Sequence, residues 1–365
     1  MNREINVKRS LESTGGVTLL RGNEIIRLFE GREAAIMESV RQAYLLKEQG
    51  DYSAPNCPFL RFPGNTRDRI IPKPAFLGGS FQVAGMKWVA SFPDNIRSGM
   101  DRASATLILN STRTGQPEAI LEGSVINACR TAASAALAAS VLREGRSIHS
   151  VGILGCGPIN FETVRFLLAT HPEIAEFLLF DTDPAQARRF LEKCPDLCGT
   201  RHIALAPSAT TLFREADVVS LATNATIPHL DNLDGCRENS VILHISLRDL
   251  APEVILAGDN VVDDVEHVCS NRTSLDLAVQ KAGNRDCIRA TLGAILSGQK
   301  ARRGGEPVIF SPFGLGILDL AVARLAVDLA RAEGIGTIID GFVPTPWPER
   351  RYAPLEIGNA ASTHA

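Results

Sequence analysis

The sequence predicts an α/β chain in two parts: a parallel-sheet domain over residues 146–319, and an α+β domain made from residues 1–145 and completed by 320–365. Three observations lead there. At 365 residues the chain is longer than one hydrophobic core usually serves. Its middle alternates short apolar runs with helical stretches, the pattern of βαβ units. Its first 145 residues instead give helices, then strands punctuated by Pro and Gly, then one Ala-rich helix.

Taken in order, residues 23–49 carry Ile25, Ile26, Phe29, Ala35, Ile36, Val40, Ala43 and Tyr44 at helical spacing and stop at Gly50, which predicts two short helices. From Asp51 to Asn110 the runs Ile70-Ile71, Met86-Lys87-Trp88-Val89 and Ala105 to Leu109 suit strands, and Thr114-Gly115-Gln116-Pro117 suits a hairpin turn. Residues 124–142, rich in Ala and Ser, predict a tightly packed helix closed by Gly145. Strands follow at Ser147–Leu154, Phe177–Phe180, Val218–Leu221 and Val241–Ile245, with a helix from the Gly155 turn through Leu168. A helix from Ile317 to Ala332 leads the chain back to the first domain, and four prolines from Pro344 to Pro354 make the tail irregular.

Gly155-Cys156-Gly157 falls where a strand ends and a helix begins. There the backbone can approach a pyrophosphate and the helix N-terminus offers N–H groups and positive potential. The context is that of a Rossmann-like dinucleotide site. Pro158 suits the first helical turn, and Asn160 stands where the glycine pattern has its third glycine, so the close helix–strand approach is either relaxed or handled by an amide side chain. Asp181 ends the second strand, where an acid accepts from ribose hydroxyls, and residues 182–187 hold no Lys or Arg for a 2′-phosphate. This favours NAD over NADP. Asp183-Pro184 reads as a helix cap, leaving Asp181 for the ribose.

The composition, 45% hydrophobic and 22% charged with net charge −3, is that of a globular protein without attraction to nucleic acid. Residues Met1 to Arg9 lack the apolar core of a signal, and no later apolar stretch is expected to span a bilayer, which predicts a cytoplasmic protein. The eight cysteines and seven histidines show no metal-ligand spacing, so reduced structural thiols and no metal are expected, with His149 and His244 incidental. Positive charge is nevertheless concentrated: Arg61 to Arg102 holds seven Lys or Arg against three Asp and no Glu. Such a region suits a small substrate with several carboxylates. Lys87, flanked by Met86 and Trp88 in a strand, and Arg130, opening Arg130-Thr131-Ala132-Ala133, are the candidates that a solvated surface explains least well.

These residues resemble the ornithine cyclodeaminase/μ-crystallin family. The matching pieces are Lys87-Trp88-Val89 with Phe92-Pro93-Asp94-Asn95, then Thr114 to Pro117, Arg130 to Ala133, the Gly155 turn, and Gly314-Leu315-Gly316-Ile317-Leu318-Asp319, in family order. Within it, Ser91 to Ile96, Gly99 to Ala105 and Gly155 to Thr163 resemble a branch that splits N-(2-amino-2-carboxyethyl)-L-glutamate into 2-oxoglutarate and 2,3-diaminopropionate for siderophores and peptide antibiotics. The resemblance implies a homodimer joined through the N-terminal domain and an active site between the domains. Arg61, Lys87 and Arg130 would hold substrate carboxylates, with Lys87 assisting proton transfer. The catalytic acid implied after the strand ending at Ile245 falls on Asp249 or on an acidic position further along, which would turn Arg248 towards the substrate. Gly155, Gly157, Pro158, Ile159, Asn160 and Asp181, with Thr223, Ser246 and Asp319, make up the expected NAD contacts. Other readings within the family are a cyclodeaminase that retains NAD, an alanine or ketimine dehydrogenase, and a μ-crystallin-like binding protein.

Overall fold

The computed structural model describes residues 16–301 and 306–352; the leader reading at Met1 to Arg9 and the proline at Pro354 lie outside the described residues. Two sheets organise the chain. The first takes β1 (Val17–Leu20), β2 (Tyr52–Ser53), β3 (Leu60–Phe62), β4 (Asn65–Leu77), β5 (Val83–Ser91), β6 (Ala103–Ser111) and β7 (Pro117–Glu122). The second takes β8 (Ser150–Leu154), β9 (Glu176–Phe180), β10 (His202–Leu205), β11 (Val218–Leu221), β12 (Val241–His244), β13 (Asp259–Val262), β14 (Ile288–Thr291) and β15 (Val308–Ser311). The chain end then returns as β16 (Thr337–Ile339), pairing antiparallel with β1 at the edge of the first sheet.

The first sheet runs β16-β1-β7-β6-β5-β4-β2, with β3 on β4, and is antiparallel except where β1 meets β7. The helices Gly22–Phe29, Glu33–Glu48, Ser124–Leu142 and Gly316–Glu333 share one apolar core with it. Gly316–Glu333 contacts β4, β5 and β6, so the segment expected to begin the return at residue 320 does so from Gly316. Contrary to expectation, one helix, Ser124–Leu142, is long and apolar enough to cross a bilayer, but 72% of that stretch is buried inside the molecule. Its run of Ala and Ser lets neighbouring helices approach closely on several sides, which explains both the composition and the burial.

The second sheet is parallel throughout, in the order β10-β9-β8-β11-β12-β15-β13-β14. Strands β8, β11, β12, β13 and β15 are buried along their whole length, as expected of a sheet covered on both faces. The sequence pattern missed β10 and β13 to β15, four residues each, although it found β11 and β12 of the same length. After β10 the chain crosses back past β8 to lay down β11. The strand order therefore reverses between β8 and β11, and such a reversal opens a crevice at the carboxyl ends of those strands.

Gly155 sits in that crevice with φ +91°, and a Cβ there would lie 2.5 Å from the Ala222 carbonyl oxygen. Only glycine fits. Asn160, one helical turn later in Pro158–Thr170, is fully buried. Its amide nitrogen donates to the Leu154 and Gly155 carbonyls at 3.0 and 2.8 Å, and its oxygen accepts from the Ser220 hydroxyl at 2.6 Å. The amide thus stitches β8, the turn and β11 together in place of the missing third glycine. Asn160→Ala removes the acceptor of a buried hydroxyl and the donor to two turn carbonyls. We expect it to lower stability by about 1–3 kcal/mol, read as a lower urea midpoint with an unchanged slope.

Candidate active site

Three elements of the first sheet and its packed helices bring charge into one buried spot. Lys87 lies mid-strand in β5, 1% exposed, directly opposite Lys73 on β4. Arg130 comes from the Ser124–Leu142 helix, and Asp319 from the first turn of Gly316–Glu333. The Lys87 Nζ lies 2.7 Å from one Asp319 carboxylate oxygen, and the Arg130 Nε donates to the other at 2.9 Å. A second bridge joins the same two cations: the Asn127 side-chain oxygen accepts from Lys87 Nζ and from Arg130 Nη2, each at 2.7 Å. Asn127 and Lys73 were not singled out in the sequence. Their signals were available, since Asn127 lies one helical turn before Arg130 and Lys73 shares the cation-rich stretch.

The turn from the second sheet closes over this cluster. Asp263, just past β13, accepts from the backbone N–H of Phe313 at 2.9 Å and of Gly314 at 2.7 Å. Lys73 donates to the Gly314 carbonyl and lies 4.6 Å from the centre of the Phe313 ring. Gly314 has φ +84°, and a Cβ on it would come within 2.6 Å of the Arg130 guanidinium. Beside this turn a small cavity of about 20 Å³ is lined by Lys73, Phe59, Pro55, His267 and Phe313.

Electrostatics follow from burial. Burial, reinforced by Arg130 and Lys73 and opposed by Asp319, pushes the Lys87 ammonium down to about 7. Lys73 is pushed down to about 8, by burial first and then by Arg130. Burial works against the Asp319 carboxylate, yet Arg130 and Lys87 outweigh it and hold the group below its usual range. Lys87 is therefore poised to exchange a proton near neutrality, with Lys73 losing its own only slightly higher and the Asp319 carboxylate beside both.

A second buried carboxylate stands at the end of β12. Asp249 accepts from the hydroxyls of Thr223 and Ser246, and one of its oxygens lies 3.1 Å from His229 Nε2. Its backbone N–H donates to His244 Nε2 at 3.2 Å, and His244 Nδ1 meets the Ser311 hydroxyl at 3.1 Å. Burial opposes the charge, but His244, Ser246 and Thr223 hold Asp249 well below the usual carboxylate range. His244, expected to be incidental, is fully buried at the centre of this network. In the same turn Leu247 adopts φ +68°, a left-handed conformation that a branched residue keeps only under constraint.

The cofactor side fits a dinucleotide. Gly157 caps the helix Pro158–Thr170, and a Cβ there would meet nothing within 4 Å. Its missing side chain leaves open space in front of the first N–H groups, among them that of Ile159. Asp181 accepts from the Cys156 N–H at 2.7 Å and the Asp183 N–H at 2.8 Å, which anchors its carboxylate beside the turn and leaves acceptor capacity on each oxygen. Asp183 caps its own helix through Ala185 N. Two residues expected to touch the cofactor are occupied otherwise. The Asn160 side chain is enclosed by the turn it holds, and Asp319 lies beneath Lys87 and Arg130 as their counter-ion. Arg61 is exposed on β3, over the Phe59 ring, and Arg248 follows β12, where its Nη2 donates to the Asn271 carbonyl at 2.8 Å.

A glycine turn at a switch point and a buried proton-exchanging lysine fit a dinucleotide-dependent oxidoreductase, and the relatives that follow are NAD-dependent dehydrogenases and reductases of amino acids. The chain belongs to the ornithine cyclodeaminase/mu-crystallin family, whose profile matches residues 30–334. It is 27% identical over 312 residues to N-((2S)-2-amino-2-carboxyethyl)-L-glutamate dehydrogenase of Staphylococcus aureus, covering 83% of this chain and 92% of that one. Among solved structures, Delta(1)-pyrroline-2-carboxylate reductase of Thermococcus litoralis, in complex with NADH and L-proline, is similar with a TM-score of 0.81 and 25% identity, over 88% of this chain and 100% of that one. An archaeal alanine dehydrogenase dimer with bound NAD gives 0.78 and 26%, over 90% and 100%.

The ion cluster makes opposite predictions for its two signs. Asp319→Asn leaves two buried cations short of a counter-ion and should cost about 3–5 kcal/mol. Lys87→Met removes a buried charge and leaves Asp319 with Arg130, so its Tm should stay near or above that of the native chain while turnover is lost. Thermal unfolding of the two variants side by side checks both.

Proposed function

We propose that this chain catalyses the NAD-dependent oxidative hydrolysis of N-(2-amino-2-carboxyethyl)-L-glutamate to 2-oxoglutarate and L-2,3-diaminopropionate, a building block for siderophores or peptide antibiotics. The observation that carries the reading is the excess of cations at the cleft. Lys73, Lys87 and Arg130 gather around the single carboxylate of Asp319, a preformed seat for an anionic substrate. The similarity to the Staphylococcus aureus dehydrogenase supports the choice of substrate.

In this reading Arg130 and Lys87 fix the carboxylate beside the reacting carbon, and Arg61 and Arg248 serve the carboxylates further out. NAD+, when bound at the Gly155–Gly157 turn, supplies the hydride acceptor. Asp181 would hold its ribose, and Thr223 and Ser246 would hold its nicotinamide end. Removal of hydride from the glutamyl Cα leaves a C=N bond in the substrate. Neutral Lys87 takes a proton from the water that adds to this carbon, and returns a proton to the departing nitrogen as the C–N bond breaks. Per turnover one water is consumed, one hydride is transferred and one proton is released. Asp249, held anionic by Thr223, Ser246 and His244, positions these groups rather than carrying the proton.

The residues 1–145 and 320–365 would form the substrate and dimerisation domain, and 146–319 the NAD domain. A homodimer through the first domain accords with exposed Leu60, Phe62, Trp88, Ile96 and Met100 there. We place the enzyme in the cytoplasm, with the cellular NAD pool; its eight cysteines are free thiols. A ketimine reductase is the second reading, favoured by the likeness to the Thermococcus litoralis structure.

Offering NAD+ with N-(2-amino-2-carboxyethyl)-L-glutamate, ornithine, alanine or proline in parallel separates the readings. The first alone should yield NADH and 2-oxoglutarate in equal amounts without ammonia; ammonia from ornithine without NADH would mark a cyclodeaminase instead. Because Lys87 must be neutral to accept a proton, kcat/KM should rise as pH increases through about 7 and then level off. A profile flat between pH 6 and 8 would remove Lys87 from the role.

A further inference from the structure

A second set of cations on the first sheet stands apart from Lys87. Arg61 on β3 faces Arg69 on β4 in register, and Arg69 faces Ser91 on β5. Arg102, directly before β6, donates to the Ser91 hydroxyl at 3.3 Å. Both Arg61 and Arg69 lie over the Phe59 ring, at 5.8 and 6.0 Å from its centre. From the second sheet Arg248 comes within electrostatic reach of Arg69. Strands β3 and β4 and the residue before β6 thus gather three guanidinium groups at one edge of the first sheet, within reach of the Arg248 charge from the turn after β12.

Among the described residues, Arg69, Arg102 and Arg248 form no ion pair. Of the nearby acids, Asp94 pairs with Arg67 and Arg97, Asp68 accepts from Asn65, Asp101 is exposed just before Arg102, and Asp249, whose charge favours the Arg248 cation, accepts from Thr223 and Ser246. Arg69 Nε is buried with no acceptor. Like charges set opposite one another on a sheet destabilise it, and a buried donor without an acceptor adds a further penalty. Burial and the Arg61 charge lower the affinity of Arg69 for its proton; burial and Arg69 do the same for Arg102 and Arg248. A single anion entering this space relieves all of these terms at once.

We propose that Arg69, Arg102 and Arg248, with Arg61 at the rim, form a second carboxylate subsite, which selects substrates carrying an additional carboxylate beyond the one seated at Lys87 and Arg130. An amino acid with one carboxylate fills the inner seat and leaves this one empty, so the subsite sets specificity against alanine- or proline-sized substrates. Arg69 and Arg102 extend the site beyond the cations already assigned. This inference rests on the polycarboxylate reading above.

Two measurements on the full chain test it: steady-state kinetics with N-(2-amino-2-carboxyethyl)-L-glutamate, and calorimetric binding of propane-1,2,3-tricarboxylate and of acetate to the NADH complex. Arg69→Gln and Arg102→Gln should each raise KM and weaken tricarboxylate binding by about 10- to 100-fold, with acetate binding and kcat changed far less. Arg69→Lys, which keeps the charge and loses the fork, should fall between and guards against misfolding. Arg97→Gln, removing an equal charge from the exposed turn Pro93–Ser98, should match the native chain. Native values in both Arg69→Gln and Arg102→Gln would overturn the subsite, as would an equal loss in Arg97→Gln. If the chain turns over none of that substrate, the proposed reaction falls, and the calorimetric comparison still decides the subsite.

Discussion

The carboxylate of Asp319, shut between Lys87 and Arg130, is the constraint on which the rest of the site depends. Three elements distant in sequence must converge for it to exist: a central strand, the Ala-rich helix and the helix that brings the chain home. Two cations this deeply buried are tolerated only with a counter-ion and further acceptors, which Asp319 and Asn127 supply. The Ala-rich composition of Ser124–Leu142 is part of the same requirement, because small side chains let the helix carry Arg130 into the core at close range. The charge arrangement then determines the chemistry: of the two facing lysines, Lys87 is the first to give up its proton as pH rises through neutrality, and Lys73 follows.

The second sheet meets this cluster through one turn. Asp263, at the end of β13, holds the backbone of Phe313 and Gly314, and that backbone in turn receives Lys73 and makes room for Arg130. The nucleotide side and the substrate side are therefore coupled by main-chain hydrogen bonds rather than by a long flexible loop. The strand reversal between β8 and β11 places the Gly155–Gly157 turn in the crevice at the carboxyl ends of the strands, and Asp249 follows β12, the neighbour of β11.

Much of this was legible in the sequence where a residue type had a local reason to be there. Gly155 and Gly157 reported a strand-to-helix turn, Asp183-Pro184 a cap, and the Ala-rich run a helix that ends at Leu142. Lys87 stood out because a lysine between Met86 and Trp88 has no solvated alternative. The partners of these residues were not legible. Asp319 lies 189 positions beyond Arg130, and its role as counter-ion depends on tertiary packing, so a motif position was read as a cofactor contact. His244 looked incidental because neither Ser311 nor Asp249 is its neighbour in a periodic pattern. Lys73 escaped notice for a similar reason, since its facing of Lys87 is a matter of strand register.

Register also explains why like charges are gathered instead of dispersed. Lys73 opposite Lys87 and Arg61 opposite Arg69 are pairings that a sheet selected only for stability would avoid. The first pair is compensated from within by Asp319. Among the described residues Arg69 and Arg102 form no ion pair, although Asp94 is close enough in the chain to have been recruited and is bound to Arg67 and Arg97 instead. A fold that gives one cluster a buried carboxylate and the other none has divided its positive charge by task. The first cluster holds a proton-exchanging group in place beside the inner seat, and the second is stabilised by whatever anion the cleft admits.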